Sequence, residues 1–333
     1  MNKRVLGIGN ALLDVLIPIE NEAILEQFSL PKGASTIVNH EIYLKILKTV
    51  EPLIVKKVTG GSAANTIYGI AGLGLETGFI GKIGNDFYGS FLEDEMKQSG
   101  ITPCLLRGEQ ATGMAITFVT PDSERTFAVY LGAALELNAD DLSLEMFQGY
   151  DIFHIEGYLI QNYDLMRRAM QLAKETGARI SLDLATYTMV EWHRDFLNEM
   201  AEKYVDIIFA NEEEAFAFTG KQPEEALTEL ACKCDVSVVK IGKKGSWVQC
   251  NDLAIHEGAH DDIQPVDTTG AGDLYASGFL YGVAIGANIR ASAQVASLLA
   301  SYVIQTLGAR IEVRDWKGIH EKVRMVEETT RKI

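Results

Sequence analysis

Two hydrophobic periods alternate along this chain, and the points where one gives way to the other predict its elements. Residues 5–9 and 79–83 are short apolar runs, the pattern of buried strands. Residues 14–19 alternate, 36–38 form a second short β-like piece, and Pro31-Lys32-Gly33 between them reads as a turn. Helical spacing appears over 41–50 through Ile42, Leu44, Ile46 and Leu47. It returns over 62–73, with Gly60-Gly61 at the mouth, and over 86–98. Residues 114–119 and 126–130, joined by 120–125, alternate as strands with one wet face do. They group with 14–19 and 36–38 in a small sheet standing off the main body.

From Asp151 onward the two periods take regular turns. Strands are predicted at 152–155, 179–184, 205–209, 236–241 and 246–250, with helices at 164–175, 189–203 and 212–218. That order implies a mostly parallel sheet with helices on both faces. A helix over 273–285 carries Gly278, Gly282 and Gly286 four apart, which predicts close packing against the sheet. Residues 291–307 form the last long helix, and no internal repeat or low-complexity tract appears.

A length of 333 residues would hold two average domains or one large α/β enzyme. Thirty basic against 46 acidic residues give a net charge of −16. That balance argues against nucleic-acid or acidic-membrane partners, which need a basic face, but not against ATP held in a local site. No run approaches the 18 apolar residues of a membrane span. The first residues enter a strand pattern at once, and four cysteines do not make a disulfide framework in so long a chain. A cytoplasmic protein is expected.

The stretch best suited to chemistry is Asp267-Thr268-Thr269-Gly270-Ala271-Gly272-Asp273, reached through 261–266 and followed by the helix at 273–285. A small-residue turn opening a helix leaves N–H groups unpaired, and the helix dipole makes that end an anion pocket. Gly270 and Gly272 let a phosphate approach the backbone. Asp273, in the first turn, is positioned to take a proton from an attacking hydroxyl. The plainer alternative is a helix start with turning glycines and an acid favoured by the dipole.

The string resembles the C-terminal motif of the ribokinase-like (PfkB) carbohydrate and nucleoside kinases. Gly60-Gly61-Ser62-Ala63-Ala64-Asn65-Thr66 resembles their N-terminal motif, in the order the family uses, and the similarity runs through nearly the whole chain. Gly9-Asn10-Ala11-Leu12-Leu13-Asp14 is most similar to the adenosine kinase branch. The resemblance implies one ribokinase-like α/β domain over 1–333, with a lid formed by about 14–38 and 113–131.

It further implies that Asp14 accepts two sugar hydroxyls, with Asn10, Gly61 and Asn65 beside it. Leu16, Phe118 and Tyr158 are candidate walls for a base, or simply core. ATP would contact Lys240, Gly242, Gly245 and Thr268, and Asn211 and Glu214 of an Asn-x-x-Glu motif would act through water on Mg²⁺ and the phosphates. Asn211 before three acids is equally a good helix start. Arg125 resembles an arginine held over the phosphates, and a solvated hairpin arginine is the alternative. No asparagine occurs in 296–300, a departure from a common family pattern around the adenine.

Three motifs are set aside. His256-Glu257-Gly258-Ala259-His260 matches a zinc-protease string but lies in strand and glycine context, without a helix to align its histidines. Gly7-Ile8-Gly9 lacks the third glycine of a dinucleotide fingerprint, and Cys232-Lys233-Cys234 has no second pair. There is no P-loop, and no residue is assigned as a direct metal ligand.

The expected reaction is transfer of the ATP γ-phosphoryl group to a sugar hydroxymethyl, foremost the 5′-OH of adenosine. Asp273 is the base, and the Gly270, Ala271 and Gly272 amides form the anion hole. Ribose, fructose or a sugar phosphate are alternative acceptors, and a non-catalytic nucleoside or nucleotide sensor is the alternative of another class. Mg²⁺ accompanies ATP, a monovalent cation such as K⁺ is implied by resemblance alone, and monomer and homodimer both remain open.

Overall fold

The computed structural model describes residues 3–122, 124–260 and 263–330. Ser123 of the 120–125 turn and Asp261 and Asp262 of the approach to the glycine motif lie outside the described residues. The chain opens with β1 (Arg4–Ile8), β2 (Leu12–Pro18), α1 (Ala23–Gln27), β3 (Ser35–Ile37) and α2 (His40–Val50). Next come β4 (Lys56–Gly60), α3 (Ser62–Gly72), β5 (Glu76–Ile83), α4 (Phe87–Gln98) and β6 (Ile101–Arg107). The hairpin β7 (Gly113–Val119) and β8 (Arg125–Tyr130) follows. The second half continues with β9 (Ile152–Glu156), α5 (Tyr163–Glu175), β10 (Arg179–Asp183), α6 (Tyr187–Trp192) and α7 (Arg194–Tyr204). It runs on through β11 (Ile207–Asn211), α8 (Glu212–Thr219), α9 (Pro223–Ala231), β12 (Val236–Lys240), β13 (Ser246–Cys250) and β14 (Leu253–Glu257). Three helices close the chain, α10 (Ala271–Ala284), α11 (Ile289–Val303) and α12 (Trp316–Thr330).

Nine strands form the main sheet in the order β14-β13-β12-β11-β10-β9-β1-β5-β6. All pairs from β12 to β6 are parallel, and only β13 and β14 turn back. One face buries Met166, Met170, Leu197 and Leu230 of α5, α7 and α9. The other buries Ile67, Ala276 and Phe279 of α3 and α10. The result is an α/β fold with helices on both faces. Strand order reverses between β9 and β1, where such sheets bind ligands beyond the carboxyl ends of their strands.

A second sheet, β3-β8-β7-β2-β4, stands over that crevice. Its period-2 pattern sends Leu13, Val15, Ile17, Met114, Ile116 and Phe118 outward, under Tyr43, Ile46 and Val50 of α2. Asp14, Leu16, Thr117 and Arg125 therefore face inward. Phe118 belongs to the outer core and not to the wall of a site, because Thr117 holds the inward position.

Other differences from the sequence reading have local causes. The small sheet gains β4, whose Lys56-Lys57 start masks the strand pattern. Edge strand β6 carries Pro103, which only an edge tolerates. The helix predicted over 189–203 is broken at His193 into α6 and α7. Helices α9 and α12 lie where no helix was expected. The glycines of α10 serve α11 and not the sheet. A Cβ at Gly278 would stand 2.5 Å from the Val295 carbonyl oxygen, and one at Gly282 would stand 2.7 Å from Ser292 Cα.

Candidate active site

Gly270, at φ +77°, turns the chain into α10, and a Cβ there would stand 2.5 Å from that of Ala309. The turn is tied from below: Asp267 Oδ1 accepts the Thr269 N–H at 2.9 Å. Its Oδ2 accepts from the Gly308 N–H and pairs with Arg125, whose Nη1 also donates to Thr269 Oγ1 at 3.0 Å. Arg125 is therefore not a solvated hairpin arginine but a nearly buried tie from the small sheet to the glycine motif. The Ala271 N–H donates to the Thr268 carbonyl at 3.1 Å. It is thus taken out of the expected anion hole, leaving its neighbours in the first turn of α10 for an anion.

Asp273 lies where α3 and α10 meet. Its Oδ1 accepts from Ser62 Oγ at 2.7 Å and its Oδ2 from Asn65 Nδ2 at 3.0 Å. Burial raises its pKa, the Asn65 and Ser62 bonds lower it, Asp183 raises it and Lys240 lowers it, with the balance at about 6.

On the small-sheet side, Asp14 lines a cavity of about 40 Å³ with Leu16, Val58, Thr117, Phe127 and Arg125. Burial pushes Asp14 up to about 7, opposed by Arg310 and aided by Asp273 and Glu95. Gly60 is required here, because a Cβ would collide with the Asp14 carboxylate; one at Gly61 (φ +97°) would collide with the Asn10 carbonyl. Asn10 is held by Glu156. Its N–H and Nδ2 both donate to Glu156 Oε1 at 2.8 Å, while Glu156 Oε2 accepts the Ala63 N–H at 2.9 Å. Glu156, 1% exposed, thus ties the β1–β2 loop to the start of α3.

On the other side of Asp273 two cavities adjoin. One, about 610 Å³, is lined by Tyr158, Asp183, Asn211, Glu214 and Asp273 among others. The second, about 560 Å³, is lined by Gly245, His260, Pro265, Thr268, Tyr275, Ser297 and Ser301 among others. Lys240, Gly242, Ala271 and Gly272 border both. Lys240 Nζ meets Asp183 Oδ2 at 2.9 Å. Asn211 and Glu214 form a reciprocal cap on α8: Asn211 Oδ1 accepts the Glu214 N–H at 2.8 Å, and the Glu214 oxygens accept Asn211 N–H and Nδ2 at 2.8 and 2.7 Å. Burial pushes Glu214 up to about 7 against the pull of Lys240.

The structure thus brings together Asp273, Gly270, Gly272, Asn65, Gly61 and Asp14 on one side, and Lys240, Gly242, Gly245, Thr268, Asn211 and Glu214 on the other. Sequence reasoning missed Glu156, Asp183, His260 and Arg310. The first two are acids that end apolar strands, a signal the pattern did contain. His256 lies in β14 against Trp247, with Nε2 2.9 Å from the Lys244 carbonyl oxygen. Among the described residues no cluster of three or more His, Cys, Asp or Glu is arranged for a metal. Among them, too, no helix is long and apolar enough to cross a membrane.

The profile of the pfkB family carbohydrate kinases matches residues 38–316. The chain belongs to that family. It is a phosphotransferase with an alcohol group as acceptor, and the pfkB kinases work with ATP and Mg²⁺. A 5-dehydro-2-deoxygluconokinase of Bacillus subtilis is 28% identical over 271 residues, 76% of this chain and 83% of that protein. The crystal structure of adenosine kinase from Sinorhizobium meliloti superposes with a TM-score of 0.85 at 31% identity, covering 98% of this chain and 99% of that one. A probable sugar kinase from Rhizobium etli superposes at 0.86 with 28% identity, covering 98% and 99%.

Proposed function

We propose that this pfkB kinase transfers the γ-phosphoryl group of ATP to the 5′-OH of adenosine. The observation that carries the reading is the setting of Asp273. Its raised carboxylate stands at the glycine mouth of α10, between the acceptor-side cavity and the two larger ones. Asp273 takes the hydroxyl proton, and the amides around Gly270 and Gly272 receive the phosphoryl charge. ATP occupies the cavity of Gly242, Gly245, Thr268 and Ser297. Asp14 binds the ribose hydroxyls, Leu16, Val58 and Phe127 cover the base, and the small sheet serves as a lid that must open, because the cavity of about 40 Å³ does not admit a nucleoside as it stands.

Mg²⁺ supplies neutralisation of phosphate charge when bound with ATP. Both Glu214 oxygens already accept from Asn211 and both Asp183 oxygens are bonded, so these residues fit a metal held through phosphates and water. K⁺ dependence is part of the same reading and is measured by titrating KCl.

The likeness to the S. meliloti enzyme supports adenosine, whereas the B. subtilis relative favours a second reading, a free sugar or keto-sugar acceptor. A screen of ATP consumption against adenosine, other nucleosides and sugars tests both. Turnover with a sugar and none with adenosine selects the second. Binding without turnover of any acceptor selects a nucleoside sensor.

A further inference from the structure

We propose that the Lys240 ammonium is a catalytic group that contacts the phosphoryl in transit, and that Asp183 is the residue that positions it. The inference rests on the reading of the site given above and adds a moving part to it. Asp183, Asn211 and Lys240 end three successive parallel strands, β10, β11 and β12. Lys240 reaches across the end of β11 to Asp183, and the two side chains are only 16% and 9% exposed. From there Nζ stands 3.2 Å from the point a Cβ on Gly272 would occupy. The ammonium therefore hangs over the first turn of α10, at the border shared by the two large cavities. A cation there meets the γ-phosphoryl group both as it leaves ATP and as it reaches the acceptor oxygen.

Asp183 is aimed by its own backbone. Its Oδ1 accepts the Ala185 N–H at 3.1 Å, and Ala185 holds φ +71°, a left-handed conformation unfavourable for alanine. Gly157 lies beneath the turn, where a Cβ would stand 2.7 Å from the Asp183 and Leu184 carbonyl oxygens. Such strain persists only where the surroundings over-determine it. Here it turns the carboxylate toward Lys240. Glu214 and Asp273 also face the ammonium, and together with Asp183 they hold it charged despite its burial.

In the step itself, the acceptor oxygen bonds to the γ-phosphorus as the bond from phosphorus to the β,γ-bridging oxygen breaks. The hydroxyl proton goes to Asp273, and the electron pair of the broken bond leaves with ADP. Lys240, already oriented, stabilises the charge shifting across the phosphoryl oxygens without reorganising.

The test uses the full chain, ATP, Mg²⁺ and the acceptor found by the screen. Lys240→Met should lower kcat by about 10²–10³-fold while the acceptor KM stays near that of wild type. Asp183→Asn should lower kcat less, and should add no further loss in the Lys240→Met background, because it acts through the ammonium. Losses that multiply would overturn the assignment. Should Lys240→Met not fold, Lys240→Gln takes its place in the same cycle. A folded Lys240 variant with wild-type kcat overturns the inference alone. A wild-type protein inactive on every acceptor overturns the reading of the site beneath it.

Discussion

At Asp273 the catalytic and structural roles separate in one substitution. In Asp273→Asn the amide oxygen can still accept from Asn65, and the new amide can donate to Ser62, whose hydroxyl reverses its part. Shape survives and the base does not. The kcat should fall by about 10²–10⁴-fold with the melting temperature nearly unchanged, and near-normal turnover would remove Asp273 as the base. Burial raises its pKa, so the ionised form a base needs is lost from the acid side sooner than for an exposed Asp. Wild-type kcat/KM should therefore decline as pH falls through about 6, because this setting is that of the free enzyme. The residual rate of Asp273→Asn should lack that limb. Asp14, held at about 7, belongs to the free enzyme, and kcat/KM for the acceptor should decline as pH falls through about 7. Asp14→Ala should weaken acceptor binding by about 1.5–3 kcal/mol for each charged hydrogen bond lost, with the KM for ATP unchanged. An unaltered acceptor KM would take Asp14 out of the site.

Between elements, what could be read from sequence depended on whether a feature is local. The string from Asp267 to Asp273 is contiguous, so its turn, glycine helix mouth and acid were all legible. Asn65 and Asp14 were legible through motifs of the same kind. The roles of Glu156, Asp183 and Arg310 were not, because each acts on a partner from a distant segment: Glu156 on Asn10 and Ala63, Asp183 on Lys240, Arg310 on the Thr59 carbonyl. Phe118 shows a different failure, in which one residue of strand parity moves a side chain from the site to the core. Arg125 combines both, since its hairpin was foreseen and its partner Asp267 was not. Arg125→Met would leave Asp267, 4% exposed, with only backbone donors, and breaking a buried pair costs up to about 3–5 kcal/mol. We expect the low end, because the Thr269 and Gly308 N–H groups remain. The variant should melt earlier and exchange amide hydrogens faster in β7 and β8. Unchanged exchange there would mean the pair does not hold the small sheet to the glycine motif.

At the scale of the molecule, the small sheet poses the question of assembly. Its outward face is apolar and must be covered, by its own chain or by a second copy. Here the chain does so itself. Tyr43 and Ile46 of α2 are 2% and 0% exposed against the outward residues of β2 and β7. Tyr43 stacks on Tyr130 with ring centroids 4.3 Å apart. A dimer clasped through this face would first have to strip α2 away, exposing a set of side chains each worth about 1.5–3 kcal/mol when buried. The net charge of −16 adds repulsion between copies. We therefore predict a monomer of 36.6 kDa in sedimentation equilibrium at physiological salt. Adding the acceptor should not change that mass, because the face that would meet a partner is not the face that meets the ligand. A species of twice the mass, persisting on dilution, would contradict the prediction and direct attention to the edges β3 and β4, where Ile37 is 63% exposed.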